Sequence, residues 1–313
     1  MRVLVTGGCG YIGTNLTCRL LHDGHEVTVV DTMWFGNHLD DHENLDIIKS
    51  DVRDIDLVPM EGINTVIHLA NIANDPTGDL NPKLTWEVNV LASKLLIERS
   101  IEQGVKRFIY ASSGSVYGVK EEPSVTEDLS LLPISDYNKT KMISERVLLS
   151  YKDCIDLAII RPATVCGYSP RMRLDLSVNM LTMQALQSGA ITVFGGAQTR
   201  PNIHMSDMVG VYVHFLERDE IAGIYNAGFE NLSIMEIAER VVRHIPAEIL
   251  VSESNDPRSY RLSSSKLLKT DFVPKFDVDY AIRELVTLYR EDKLKDTTQC
   301  YNIRQMETIG NLQ

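Results

Sequence analysis

The stretch ISDYNKTK, residues 134–141, sets a phenol (Tyr137) and an ammonium (Lys141) four residues apart, just ahead of a run with helical spacing. Side chains four apart are neighbours on one helix face. The lysine charge would therefore favour the phenolate and draw the tyrosine toward use as a base. Taken alone, the pair reads first as a surface pair on an amphipathic helix. A second chemical signature opens the chain, where MRVLVTGGCGYIGTNL places Gly7, Gly10 and Gly13 between a β-branched run and a helical one. Glycines at that spacing let the backbone turn tightly and approach a pyrophosphate, which sits on the helix N-terminus. With Tyr11 and Ile12 between the last two glycines, these are the expected dinucleotide contacts. Asp31 follows the second apolar run, 18 residues after Gly13. A carboxylate there accepts hydrogen bonds from the adenosine ribose hydroxyls and repels a 2′-phosphate. Thr32 and Met33 supply no arginine to welcome one, so the expected cofactor is NAD and not NADP. Asp51 and Val52, after the third run, are placed at the adenine edge, and Leu69 and Ala70 of HLAN near the phosphates and ribose. His68 reads as a packed strand-end residue. Cys9 lies at a helix N-terminus, where a thiol pKa can be depressed, although a tolerated small residue is the simpler reading.

The elements that must position these groups alternate. Candidate strands are 2–6, 26–30, 47–49, 64–69, 106–111 and 156–161, with helical stretches near 11–23, 84–103 and 137–151. That alternation predicts a doubly wound parallel sheet, an α/β (Rossmann) fold. After about residue 165 glycines, prolines and polar residues break the pattern, through 166–201 and again through 252–275. The expected organisation is a cofactor domain over 1–165, with returning segments near 201–228, and a smaller interleaved substrate domain over 166–200 and 229–313.

Composition narrows the partners. The 313 residues are 44% hydrophobic and carry a formal charge of −12, which disfavours nucleic acid, whose phosphates demand a basic face. A few converging arginines can still hold a diphosphate inside an acidic protein. No stretch has the apolar length of a membrane helix and the N-terminus lacks a signal-peptide layout, so a cytoplasmic protein is expected. Five cysteines without a CxxC motif read as reduced thiols. His38 and His42, four apart in HLDDHE, have a ligand-like spacing but lie in a loop remote from the expected chemistry, and no metal is expected.

With the glycines, Asp31, RFIYASSGSVYG (107–118), YNKTK (137–141) and RPATVCG (161–167) in chain order, the sequence resembles the extended short-chain dehydrogenase/reductase family of nucleotide-sugar epimerases, dehydratases and reductases. The resemblance covers nearly the whole chain. It implies that Tyr137 and Lys141 are a catalytic pair and that Ser113 is the family's catalytic serine. Tyr137 would take a carbinol proton while NAD takes the hydride. Ser113 would orient the same sugar oxygen, Lys141 would also reach the nicotinamide ribose, and Asn89 and Pro162 would stand beside the cofactor. Family 4,6-dehydratases carry an acidic pair directly after the catalytic hydroxyl residue, decarboxylases a glutamate, and enzymes inverting centres beside the ketone a cysteine. Gly114 and Ser115 stand in those places here, which leaves reversible oxidation at one carbinol, C4 of a hexose.

The resemblance further implies a nucleotide-diphosphate sugar as substrate, held by Ser113, Ser115, Asn179, Arg200 and Arg258, with Arg171 and Arg173 of SPRMRLDL as further candidates. That loop resembles one from a branch acting on nucleotide-linked heptoses. Three functions stay open: a 4-epimerase returning the hydride to the opposite face, a one-way 4-dehydrogenase or ketoreductase, and a non-catalytic NAD sensor. An intact Ser113, Tyr137 and Lys141 argues against the last. By the same resemblance a homodimer is expected, pairing the helices near 84–103 and 137–151.

Overall fold

The computed structural model describes residues 1–254 and 259–310. Seven parallel strands form the central sheet: β1 Arg2–Thr6, β2 Glu26–Asp31, β3 Leu45–Lys49, β4 Thr65–His68, β5 Arg107–Ala111, β6 Asp156–Pro162 and, far along the chain, β10 Gly223–Ala227. Their spatial order is 3-2-1-4-5-6-10. The innermost strands read as unbroken apolar runs because helices cover both faces of the sheet; β5 is buried at every position. On one face lie α1 Tyr11–His22 and α7 Met205–Glu217. On the other lie a continuous helical run, α3 Pro82–Trp86, a π-helical turn Glu87–Ala92 and α4 Ser93–Glu102, together with α5 Asp136–Leu149. The chain reverses direction across the sheet between β1 and β4, and ligands of such sheets bind in the crevice at the carboxyl ends of strands flanking that reversal.

The rest of the chain builds a smaller body over that crevice. Strands β7 Thr164–Cys166, β9 Thr199–His204 and β11 Glu230–Ser233 make a three-stranded sheet, and β8 Ala190–Phe194 pairs in parallel with β12 Glu248–Ser252. Their core is a separate apolar cluster with α6 Ser177–Ser188, α8 Ile234–His244 and α10 Val278–Arg290, centred on Leu181, Ile191, Ile237 and Ile282. Two short helices, α2 Asp75–Leu80 and α9 Ser265–Leu268, sit in connections. The chain closes with α11 Asn302–Ile309, whose Met306 packs into the main core. The described part of the polar tail after Leu294 is thus folded onto the sheet domain. Segment 202–217, read from sequence as returning to the sheet, splits: β9 joins the small sheet and only α7 packs on the large one.

Candidate functional site

A cleft of about 640 Å³ runs from the glycine turn to the small body. Gly7, at φ +75°, turns the chain out of β1, and a Cβ there would stand 2.6 Å from the Ala70 nitrogen. At Gly13 a Cβ would lie 2.1 Å from the Gly7 carbonyl oxygen. Both positions therefore exclude a side chain, and the turn presses close to the end of β4. Gly10 caps α1 without a side-chain hydrogen bond, leaving the first amides of the helix to face an anion. Asp31, at the end of β2, accepts the Cys9 amide at 3.0 Å and the Met33 amide at 2.7 Å. Burial raises the Asp31 carboxyl, against the pull of those two amides. Burial, reinforced by Asp31, also pushes the Cys9 thiol up to about 12; Cys9 is a neutral packing group, not a depressed thiol.

Tyr11, Ile12, Asp51, Val52, Leu69, Ala70 and Pro162 line the same cleft. Asp51 is gripped by Arg53, with nitrogen-to-oxygen distances of 2.9 and 3.1 Å. His68 is fully packed between the Thr6 hydroxyl (2.6 Å) and the Ser93 hydroxyl (2.8 Å), and burial lowers it to about 3. Asn89 does not face the cleft. Its amide donates to the Ile72 carbonyl (3.2 Å) and the Thr140 hydroxyl (3.0 Å), while its oxygen accepts the Ile72 amide (2.8 Å). The π-helical turn at this point re-aims the side chain, so Asn89 ties the loop after β4 to α5.

Ser113 follows β5 and leads into a single 3-10 turn, Gly114–Tyr117. Its hydroxyl bonds the Ser115 hydroxyl at 2.7 Å, and Ser115 in turn bonds Asn138; Ser113 and Tyr137 line the cleft together. Tyr137 is the second residue of α5, whose first turn is capped by the Ser135 hydroxyl accepting the Asn138 amide at 3.1 Å. Burial pushes Tyr137 up to about 12, Ser113 and Arg173 pull it down, and Asp75 pushes it further up. The expectation that Lys141 draws this phenol down is corrected here. Lys141 is 1% exposed, and its Nζ donates to the Ala111 carbonyl (2.8 Å) and the Tyr110 hydroxyl (3.4 Å), with no hydrogen bond to Tyr137. Burial holds the ammonium itself down at about 7.

One turn beyond Lys141, Glu145 makes a two-pronged ion pair with Arg161 of β6, at 2.9 and 2.6 Å, with both side chains buried. Glu145 also accepts from the Ser112 hydroxyl. Arg161 continues to the Tyr117 hydroxyl (2.6 Å), which donates to Asn226 of β10 (2.8 Å). This buried network locks α5 to β6, β10 and the segment after β5, and so fixes where Tyr137 stands.

Of the residues read as substrate contacts, Ser113, Ser115, Arg171, Arg173 and Arg200 reach the cleft. Arg200 lies at its far end with Thr192, Phe194, Gln198 and Tyr260. Arg173 is held by Asp175 at 2.9 and 3.0 Å. Asn179 does not reach the cleft: it is fully buried, accepting the Gly167 amide (3.0 Å) and donating to the Tyr11 hydroxyl and the Arg173 carbonyl (2.9 Å each). Arg258 lies outside the described residues. Sequence reasoning missed Phe35, Asp75, Asp175 and Asn302, which also line the cleft and whose types and spacings carry no motif. His38 bonds the Phe35 carbonyl (3.1 Å), and His42 accepts the Asn44 amide (3.1 Å). Among the described residues no group of three or more His, Cys, Asp or Glu is arranged to hold a metal, and no helix is long and apolar enough to cross a membrane.

A relative from Danio rerio, UDP-glucuronic acid decarboxylase 1, is 29% identical over 286 residues, covering 85% of this chain and 68% of that protein. A Bacillus subtilis (strain 168) protein, uncharacterized UDP-glucose epimerase YtcB, is 32% identical over 257 residues, covering 77% of this chain and 81% of its own. The solved structure of MoeE5 in complex with UDP-glucuronic acid and NAD superimposes with a TM-score of 0.83 at 26% identity, covering 93% of this chain and all of the other. The sequence model of the NAD dependent epimerase/dehydratase family matches residues 3–228. A glycine turn that admits no side chain, a carboxylate closing the second strand and a serine and a tyrosine on one cleft wall are thus explained together: the chain belongs to the NAD-dependent epimerase/dehydratase family and is an enzyme whose cofactor is NAD.

Proposed function

We propose that this enzyme is a nucleotide-sugar 4-epimerase that oxidises C4 of a nucleotide-diphosphate sugar and reduces it again from the other face. The observation that carries the reading is the placing of Ser113 and Tyr137 together on the cleft wall, close enough for the serine to pull the phenol pKa down, beside a position that crowds an acid. A Cβ on Gly114 would meet the Pro162 carbonyl oxygen at 3.0 Å and the Tyr260 hydroxyl at 3.4 Å. Any side chain there would crowd the Pro162 carbonyl oxygen. Bound NAD supplies the hydride acceptor, and its positive nicotinamide ring favours a phenolate. Tyr137 takes the carbinol proton and gives it back, with Ser113 fixing the angle of the sugar oxygen. Lys141 holds the Ala111 carbonyl and would hold the nicotinamide ribose of bound NAD. Arg173 adds positive charge near the phenol and offsets part of the burial that still holds it up at about 12. Arg200 and Arg258 grip the diphosphate, and Ser115 contacts the sugar. In this reading residues 1–165 with 201–228 carry the cofactor and the remainder carries the nucleotide sugar.

The test is proton NMR and mass spectrometry of UDP-, GDP-, dTDP- and CDP-linked sugars incubated with the enzyme and NAD. A product of unchanged mass with inverted C4 couplings supports the proposal; a product two hydrogens lighter, with NADH formed in step, overturns it in favour of a one-way dehydrogenase. Tyr137→Phe should lower turnover by about 10²–10⁴-fold and leave NAD affinity nearly intact. We also infer a homodimer, supported by Leu91 and Leu95, four residues apart and 55% and 41% exposed on the outer helix. Light scattering should report a dimer for the wild type and a monomer for Leu91→Glu/Leu95→Glu; a wild-type monomer would refute this.

A further inference from the structure

Arg171 is a buried cation that the fold leaves poorly compensated. It lies in the loop after β7, is 4% exposed, and sets its guanidinium carbon 3.9 Å from the centre of the Phe35 ring. Nη2 donates to the Asn302 side-chain oxygen at 2.7 Å and Nη1 to the Met172 carbonyl at 3.5 Å. Nε is buried and meets no hydrogen-bond partner among the described residues. Two residues on, Arg173 is the contrast, neutralised by its two-pronged pair with Asp175. Arg171 has no such carboxylate bonded to it among the described residues. A guanidinium out of water without a counter-charge is strongly disfavoured, and its planar fork matches a phosphate.

The surroundings say which phosphate. Asp175 and, more weakly, Asp31 are within electrostatic reach of Arg171, and Asp31 itself accepts the Cys9 amide of the glycine turn. Phe35, on the connection that follows Asp31 at the end of β2, stacks on the guanidinium, so Arg171 stands on the cofactor side of the cleft that the glycine turn, whose helix amides favour an anion, also lines. Asp31 repels a phosphate at the adenosine 2′ position, so the anion that the turn and Arg171 can share is a pyrophosphate. Asn302, which holds Arg171, begins α11. Its amide donates to Asp175 at 3.2 Å, Gln305 of the same helix donates to the Trp34 carbonyl at 2.8 Å, and Ile303 and Met306 line the cleft.

We propose that Arg171, held by Asn302 and Phe35, binds the pyrophosphate of the dinucleotide cofactor, and that α11 forms the outer wall of the cofactor site. This moves Arg171 from the substrate, where its loop had suggested it, to the cofactor. The experiment is calorimetric titration of NAD, ADP, adenosine and UDP into nucleotide-free, full-length wild type, Arg171→Met and Asn302→Ala, each first shown by circular dichroism to be folded. Losing a charge-assisted phosphate contact should weaken NAD and ADP about ten- to hundredfold in Arg171→Met, while adenosine and UDP change by less than about twofold. Asn302→Ala keeps the charge but frees it, and should show the same pattern more weakly. Weakened UDP with unchanged NAD would return Arg171 to the substrate site. Adenosine weakened as much as ADP would make its role purely structural, and no change in any ligand would remove it from binding altogether; each of these overturns the proposal.

Discussion

Lys141→Met tests the electrostatics of the site through folding stability. The ammonium is 1% exposed, and burial lowers it from 10.5 to about 7, with Glu145 opposing the drop. At roughly 1.4 kcal/mol per pH unit, that gap corresponds to about 5 kcal/mol by which the fold disfavours the charged form. The sign follows from proton binding. Below about pH 7 the lysine is protonated both folded and unfolded, so the penalty is full. Between 7 and 10.5 the unfolded chain binds the proton and the folded one does not, so the stability of the wild type rises with pH. The variant lacks the titrating group, and its lost hydrogen bonds to Ala111 and Tyr110 shift its stability by an amount independent of pH. Urea unfolding at half-unit steps from pH 6.5 to 10.5 should therefore show the wild type gaining on Lys141→Met by up to about 5 kcal/mol across that window. Parallel stability curves would refute the reasoning and mean that the ammonium remains charged in the folded protein.

The cradle is tested by Gly13→Ala, whose Cβ would stand 2.1 Å from the Gly7 carbonyl oxygen. NAD binding by calorimetry should be lost in a protein that still folds, and retained wild-type affinity would show that the turn relaxes. Glu145→Gln leaves Arg161 buried without its counter-charge and should destabilise the fold by about 3–5 kcal/mol in denaturant titration; an unchanged midpoint would mean that the network does not anchor α5.

How much of this was legible beforehand divides along a physical line. The glycine turn, Asp31 and the strand–helix alternation are local matters: backbone room, one carboxylate after a strand, and the two periods of side-chain burial are all written in consecutive residues. From them the parallel sheet, its reversal beside β1 and the preference for NAD follow, and Asp51, Val52, Leu69 and Ala70, with the Ser113 and Tyr137 that the resemblance singled out, all line the cleft. The family resemblance added the order of the motifs and, through Gly114 and Ser115, the missing acid pair. What the sequence could not say is where a long polar side chain points once other segments pack around it. Asn179 and Asn89 share the residue type of a ligand contact, yet their amides are satisfied by carbonyls and hydroxyls brought in from elsewhere in the chain. Lys141 has the spacing to face Tyr137, but the end of β5 offers its ammonium a carbonyl instead. Arg171 and Arg173 are two apart and alike in sequence; only the folded chain gives one a carboxylate and the other an aromatic ring and Asn302, more than 100 residues away. Spacing fixes a side chain's neighbours on its own element, whereas its partners across elements, and with them its charge state, are decided by the tertiary fold.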